Sequence, residues 1–306
     1  MKNIPLGKTD LEVPPIAVGC MRLNSLNLNE AENFIKSALE LGLNFFDHAD
    51  IYGNGECEEL FANAVQMNSS IREKMIIQSK CGIVPGVMYD FSKEHIINSV
   101  DGILKRLHTD YLDGLLLHRP DALVEPDEVA DAFDKLEKSG KVRYFGVSNQ
   151  KPMQIELLKK YVKQNITANQ LQLSITNSQM IRNGLEVNMF TEGSLDRDGS
   201  VLDYCRLNDI TIQAWSPFQY GFFEGVFLNN DKFENLNNTI NNLCEKYNCS
   251  NTTIAAAWIL RHPAKIQLIS GTTNINRLKD IYSATNIELT REEWYRIYLS
   301  AGNMLP

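Results

Sequence analysis

From residue 16 onward, short runs of β-branched and other apolar side chains alternate with longer stretches whose apolar positions recur at three- and four-residue spacing. Residues 16–20 read as a first strand. Residues 29–41 read as a helix with Ala31, Phe34, Ile35, Ala38 and Leu39 on one face and Gly42 as its stop. Residues 43–47 form a second strand, and 57–67 a helix with Leu60, Phe61, Ala64 and Val65 together. A third strand at 75–80 leads to a helix over 92–107 that Ser92 can cap. The nearly continuous apolar run at 111–118 predicts a strand covered on both faces. A helix at 127–139, ended by Gly140, is followed by strand 142–148, helix 153–162 and strand 168–173. A long polar segment, 174–199, precedes a helix at 200–207 and a seventh strand at 210–214. A stretch rich in Gly, Phe and Asn (218–235), helices at 236–247 and 252–261, strand 266–270 and helix 275–284 complete the pattern.

Eight strand–helix alternations with no linker between them predict an α/β fold, a (β/α)8 TIM barrel in one domain over 1–306. A short N-terminal hairpin around 4–11 would close its bottom, and extended loops follow strands six and seven. A doubly wound open sheet is the competing arrangement, but it carries a glycine-rich phosphate turn after its first strand. Here that strand runs into Val18-Gly19-Cys20-Met21-Arg22, with no G-x-G-x-x-G.

Composition narrows the function classes. Thirty Lys and Arg against 38 Asp and Glu give a net charge of -8, and no basic block occurs, which argues against a nucleic-acid partner. No apolar run approaches the roughly 18 residues of a membrane span, and the first residues lack a signal-like core. Six cysteines are scattered without a C-x-x-C pair and read as reduced thiols. A soluble cytoplasmic protein is expected. No heptad or apolar stripe compels a dimer, so a monomer is the default.

In barrels of this kind the chemistry sits at the C-terminal strand ends. Those ends carry Asp47, Lys80 and His118, and the loop after the second strand carries Tyr52. A phenol is a weak acid at neutral pH. An ammonium beside it favours the phenolate and lowers its pKa, and a carboxylate behind the ammonium holds that charge in place. Such a tyrosine can protonate a carbonyl oxygen as hydride reaches the carbon, while an imidazole orients the same oxygen. No Ser or Cys has an obvious paired base.

The segments 46–53 (Phe-Asp-His-Ala-Asp-Ile-Tyr-Gly), Ser79-Lys80, Asp110 to Asp113 with Leu116 to Pro120, and 140–149 (Gly-Lys-Val-Arg-Tyr-Phe-Gly-Val-Ser-Asn) stand in an order and spacing that resembles the aldo-keto reductase family. Together with Gly82-Ile83, the run 126–133 and Ala214-Trp215-Ser216, they are most similar to its bacterial YdhF-like oxidoreductases. The resemblance covers essentially the whole chain. It implies Tyr52 as general acid/base, Lys80 and Asp47 as its tuning pair, and His118 as the residue that orients the carbonyl. It also implies an NADP cofactor. Ser148, Asn149 and Gln170 would bind the nicotinamide carboxamide, Trp215 would stack on the ring with Ser216 beside it, and Gly19, Met21 and Asp47 would line the same region. Ser270, Gly271, Thr272 and Arg277 would hold the adenosine end. Gly271 replaces a family lysine and Ile281 a family asparagine there, whereas Arg277 is kept; this favours NADP and leaves NAD open. The implied reaction is reduction of a small-molecule aldehyde or ketone to the alcohol. Met21, Leu23, Tyr89 and the loops 174–199 and 218–235 would shape the substrate side.

Two other readings carry different tests. A cofactor-sensing or regulatory subunit of the same fold would bind the cofactor without turnover. A metal-dependent barrel hydrolase would use His48, Asp50 and His118, although the remaining histidines His95, His108 and His262 fall on helices or their ends. No metal site is expected.

Overall fold

In the computed structural model, which describes residues 1–305, eight parallel strands close a barrel in sequence order. They are β1 (Ile16–Gly19), β2 (Phe45–Asp47), β3 (Ile76–Cys81), β4 (Leu112–Leu117), β5 (Val142–Ser148), β6 (Ile166–Gln172), β7 (Thr211–Trp215) and β8 (Gln267–Ser270). The ring closes where Leu268 pairs with Ile16. Around it lie α1 (Leu28–Glu40), α2 (Glu56–Val65), α3 (Lys93–Leu107), α4 (Pro126–Lys138), α5 (Pro152–Lys159), α6 (Gln179–Leu185), α7 (Val201–Leu207), α8 (Glu234–Tyr247), α9 (Asn251–Leu260), α10 (Ile275–Ser283) and α11 (Arg291–Ser300). The expected TIM barrel is the fold.

Local chemistry explains most of these limits. Asn27 and Glu30 form a reciprocal capping box at the start of α1, whose inner face buries Ala31, Phe34, Ile35 and Ala38. Ser92 accepts from the His95 amide at the start of α3. Every residue of β4 is buried, as its apolar run required.

The barrel interior has two zones. Leu6, Val13, Ala17, Phe45, Leu116, Ala168 and Ile269 form a small apolar plug, separate from the larger core between strands and helices. The predicted N-terminal hairpin, Ile4–Pro5 paired with Glu12–Val13, supplies part of that plug. Its turn is pinned where the Gly7 amide donates to Thr211 Oγ1 at 2.8 Å. Gly7 has φ +57°, and a Cβ there would lie 2.5 Å from the Thr167 carbonyl oxygen, so only glycine fits. Toward the C-terminal ends the interior turns polar: on β2 Phe45 gives way to Asp47, and on β6 Ala168 gives way to Gln170.

Two of these helices lie outside the sequence expectation. The polar segment 174–199 contains α6, and α11 follows the last predicted helix. Helix α11 begins with a Thr290/Glu293 capping box, a signal present in the sequence. It covers α9, a helix buried on all sides, which has no amphipathic stripe because neighbours surround it. The contact is a stacked indole pair, Trp258 on Trp294, with ring centres 4.8 Å apart. Each indole N–H donates to the other residue's carbonyl, at 3.1 and 3.0 Å, so Trp294 also satisfies a carbonyl in the last turn of α9. Trp294→Phe should therefore cost about 1–3 kcal/mol in urea denaturation by leaving that carbonyl unpaired. A loss well below that range would show that water replaces the indole.

Candidate active site

The site is built around a lysine that has no contact with solvent. Lys80 sits near the end of β3 with 0% exposure, and its ammonium has three acceptors. Nζ lies 2.8 Å from Asp47 Oδ2, 2.7 Å from the His48 carbonyl oxygen and 3.0 Å from the Tyr52 hydroxyl. Three donated protons meet three acceptors, the condition under which a buried ammonium is tolerated. Burial pulls the Lys80 pKa down, but Asp47 and Tyr52 outweigh it and hold the group above the ordinary lysine value.

The tight loop after β2 brings Tyr52 to this point. The Asp50 amide donates to the Lys80 carbonyl, and the Tyr52 amide to that of Ala49. Gly55 takes φ +97° on entry to α2, with Arg106 Cδ 2.6 Å from its Cβ position. The chain thus turns back beneath the phenol. Since the Tyr52 oxygen accepts from Lys80 and no protein acceptor faces it, its own hydrogen is free to point into the cavity. From sequence alone, Lys80 is expected to lower the Tyr52 pKa. The net shift is upward: burial dominates, Lys80 offsets part of it, and Asp47 adds to it. At neutral pH the phenol is protonated.

His118 follows β4, its ring edge-on to Tyr52 with centres 6.1 Å apart. Burial, then the charges of Lys80 and Arg119, push its pKa well below the usual histidine value. Nδ1 is buried without a partner, whereas Nε2 reaches the cavity. A bare ring nitrogen is less costly to bury than an unpaired N–H, which places the proton of the neutral ring on Nε2, as a donor to the cavity.

Behind Asp47 stands an amide chain that sequence pattern does not reveal: Gln78, Gln213 and Gln267 are new to the site, and Gln170, expected at the nicotinamide carboxamide, also joins it. Asp47 Oδ1 accepts from Gln78 Nε2 at 2.7 Å and from Gln170 Nε2 at 3.0 Å. Gln78 and Gln213 exchange two amide hydrogen bonds, of 2.9 and 3.1 Å. Gln213 then donates to Gln267, and Gln267 to the Pro14 carbonyl, each at 2.8 Å. A carboxylate and a backbone carbonyl accept at the two ends, which fixes the direction of every amide between them. Four glutamines on non-adjacent stretches of chain form no local pattern; only barrel closure shows that they touch.

A cavity of about 560 Å³ opens at the C-terminal strand ends. Gly19, Met21, Asp47, Tyr52, His118, Ser148, Asn149, Gln170, Trp215, Ser216, Gly271, Thr272 and Arg277 all line it. Lys80 and Ser270 lie just behind the wall; the Ser270 hydroxyl is buried without a partner. Ser148 Oγ donates to the Gln170 carbonyl, Asn149 Nδ2 to Ser148 Oγ, and Trp215 Nε1 to Asn149 Oδ1, so these side chains are held in one network. Phe223 stacks on Trp215 with ring centres 5.7 Å apart. Arg22, another wall residue, reaches the Gly271 carbonyl at 3.5 Å.

Other expectations change. Leu23 is buried in the core, and Tyr89 stands on an exposed hairpin (Ile83–Val84 with Met88–Tyr89), so neither lines the cavity. No residue of 174–199 lines it either; Ser174 instead props the next loop by donating to the Gln219 carbonyl at 2.7 Å. Ile281 is buried in the core rather than at the cavity. His48 packs edge-on to Phe61 at 4.7 Å, pushed down to about 3 by burial and by Lys80. Asp50, pushed up to about 7 by burial and by Glu58, also lies outside the cavity lining. His48, Asp50 and His118 therefore do not converge, and among the described residues no three His, Cys, Asp or Glu side chains group as metal ligands.

The barrel with this constellation at its mouth defines a class, and comparison with known proteins agrees: residues 15–298 match the model of the Aldo/keto reductase family. The chain belongs to that family and is an NAD(P)H-dependent oxidoreductase. It is 35% identical to the oxidoreductase YcsN of Bacillus subtilis, over 97% of each chain. It is 34% identical to oxidoreductase YdhF of Escherichia coli, over 98% of each. A 6-dehydroglucose reductase of Novosphingobium aromaticivorans is 32% identical, over 98% of this chain and 96% of that one. Among solved structures, the thermostable aldo-keto reductase Tm1743 in complex with the inhibitor epalrestat superposes with a TM-score of 0.79 at 25% identity, covering 98% of this chain and 100% of that one.

The amide chain yields a direct test. Gln78→Leu removes one donor from Asp47 and both bonds to Gln213, and should destabilise the fold by about 1–3 kcal/mol in urea denaturation. Gln78→Glu should cost more, because a second carboxylate would then face Asp47 in the same dry space. Wild-type stability in Gln78→Leu would mean that the chain does not support the barrel.

Proposed function

We propose that the protein reduces an aldehyde or ketone to the alcohol with NADPH, and that Tyr52 is the proton donor. One observation carries this reading: the buried Lys80 ammonium joins Asp47 to Tyr52, at 2.8 and 3.0 Å, while the Tyr52 hydroxyl remains protonated and open to the cavity. In the bound state the nicotinamide supplies a hydride to the carbonyl carbon. The Tyr52 hydroxyl and His118 Nε2–H both donate to the carbonyl oxygen, polarising the bond and fixing its orientation. Tyr52 passes its proton to that oxygen as negative charge develops on it. The phenolate left behind is stabilised by Lys80, whose charge Asp47 balances. In the reverse direction the same phenolate takes the proton back.

The wall residues suit a nicotinamide dinucleotide. Ser148, Asn149 and the Gln170 side-chain Oε1 present donors and acceptors for a carboxamide, beside the Trp215 ring. At the far end, Gly271 leaves open space where a side chain would stand, Thr272 precedes the Asn274 cap of α10, and Arg277 lies in the first turn of that helix. An exposed guanidinium at a helix N-terminus suits a phosphate, here the 2′-phosphate of NADP. The aldo-keto reductase of Bombyx mori, solved in complex with NADP, shares the fold, with a TM-score of 0.74.

Tyr52→Phe should lower carbonyl reduction by roughly 10²–10⁴-fold, the scale of a lost general acid, with NADPH affinity by fluorescence titration within about twofold. Undiminished turnover would remove Tyr52 from the reaction. Reduction requires the protonated phenol, and its pKa is raised. The wild-type rate of reduction should therefore hold through neutral pH and fall only above about pH 10, past the ordinary tyrosine range. Arg277→Ala should weaken NADPH binding by about 1.5–3 kcal/mol, the scale of a charge-assisted contact, and NADH binding far less. Equal losses would show that Arg277 does not read the 2′-phosphate.

A further inference from the structure

The cavity wall contains three cations, Arg22, Arg119 and Arg277, and one carboxylate, Asp47, in a protein whose net charge is -8. Asp47 is fully engaged by Lys80, Gln78 and Gln170. Arg22 and Arg277 both belong to the Gly271 end, after β8. Arg119 is different. It follows His118 at the end of β4, four strands around the ring from β8 and so across the barrel from that end.

Its guanidinium makes no ion pair or hydrogen bond with any described residue. It is half-buried, with Cζ 5.7 Å from the centre of the Trp215 ring and 5.8 Å from that of Phe222. Aromatic faces attract the cation but satisfy none of its five N–H donors. Burial already weighs against its charge, pulling its pKa below the usual arginine value. A guanidinium held in a partly dry wall without an acceptor has a large gain available from an anion, most of all one that offers two oxygens in a plane.

We propose that Arg119 is the specificity-determining residue of the substrate side, and that the substrates are carbonyl compounds bearing an anionic group, a carboxylate or a phosphate ester. The proposal rests on the reductase reading for the position of the carbonyl, at Tyr52 and His118. Since His118 and Arg119 are consecutive, carbonyl and anion belong to one compact molecule. The anion docks against Arg119 beneath Trp215 and Phe222, and the carbonyl is thereby turned toward the two donors.

The test compares 4-carboxybenzaldehyde with 4-methylbenzaldehyde, each with NADPH, in the wild type, Arg119→Gln and Arg119→Lys. The wild type should favour the carboxylate in kcat/KM by about tenfold or more, and Arg119→Gln should lower that ratio by roughly 10- to 100-fold, mainly through KM. Arg119→Lys, which keeps the charge but not the planar fork, should recover part of the preference. A ratio that Arg119→Gln leaves unchanged overturns the proposal, and turnover of the methyl compound in the same assay leaves the reductase reading intact. Binding supplies a second readout. Benzoate and phenyl phosphate should each alter the tryptophan fluorescence of the wild type and not that of Arg119→Gln, and their relative affinities decide between carboxylate and phosphate. If neither aldehyde is reduced while Arg119-dependent binding persists, the anion site stands and the reductase reading falls. Binding that is the same with and without Arg119 overturns the anion site.

Discussion

An ammonium group sealed from water is among the costlier things a protein interior can hold, and the C-terminal end of this barrel is arranged around one. Lys80 is tolerated because each of its three protons has an acceptor, drawn from β2, from the backbone just beyond it and from the loop that follows. The same arrangement defines the chemistry. The Tyr52 oxygen accepts from Lys80, so its hydrogen is left to the cavity, and Asp47 keeps the Lys80 charge in register with the phenol. A change that relieved the burial of Lys80 would also undo the contact that leaves the Tyr52 hydrogen to the cavity.

The demand propagates downward. Asp47 meets Lys80 with one oxygen and two amides with the other, and those amides are satisfied in turn by a chain that ends on the Pro14 carbonyl. A barrel interior is ordinarily filled by branched apolar side chains. Here only the lower part is, around Phe45, Leu116, Ala168 and Ile269. The polar layer above it is closed and directional, the condition under which buried amides rigidify a core instead of weakening it. It couples the position of the Asp47 carboxylate to the hairpin end of the barrel.

The cavity is also segregated by charge. Against a net charge of -8, its wall is cationic at two places across the barrel from each other: Arg22 and Arg277 at one end and Arg119 at the other. The Trp215, Phe222 and Phe223 cluster lies over the ground between them. This division sets two separate cationic regions in a single cleft.

The residues at the strand ends were legible without a structure, because a strand-end rule places Asp47, Lys80 and His118 at one mouth once eight strands are counted, and the Tyr52 loop is short. The barrel itself was legible for the same reason, since a period of two in short runs and of 3.6 in longer ones survives in the sequence. What tertiary structure alone decided depends on contacts between distant stretches. The alternation on β3 or β7 does not reveal that Gln78, Gln170, Gln213 and Gln267 meet. Nor does periodicity show that α9, predicted as a helix, is buried on all sides, or that α11 follows the last predicted helix and completes the cover of α9 through Trp294. The direction of the Tyr52 shift was of this kind too: a neighbouring lysine can be read from sequence, but the desolvation that outweighs it is a property of the packed interior. Local pattern determined the elements and the identities of the groups at the barrel mouth; their protonation, their hidden supports and the unpaired charge of Arg119 followed from how the ring closed and which groups it shut away from water.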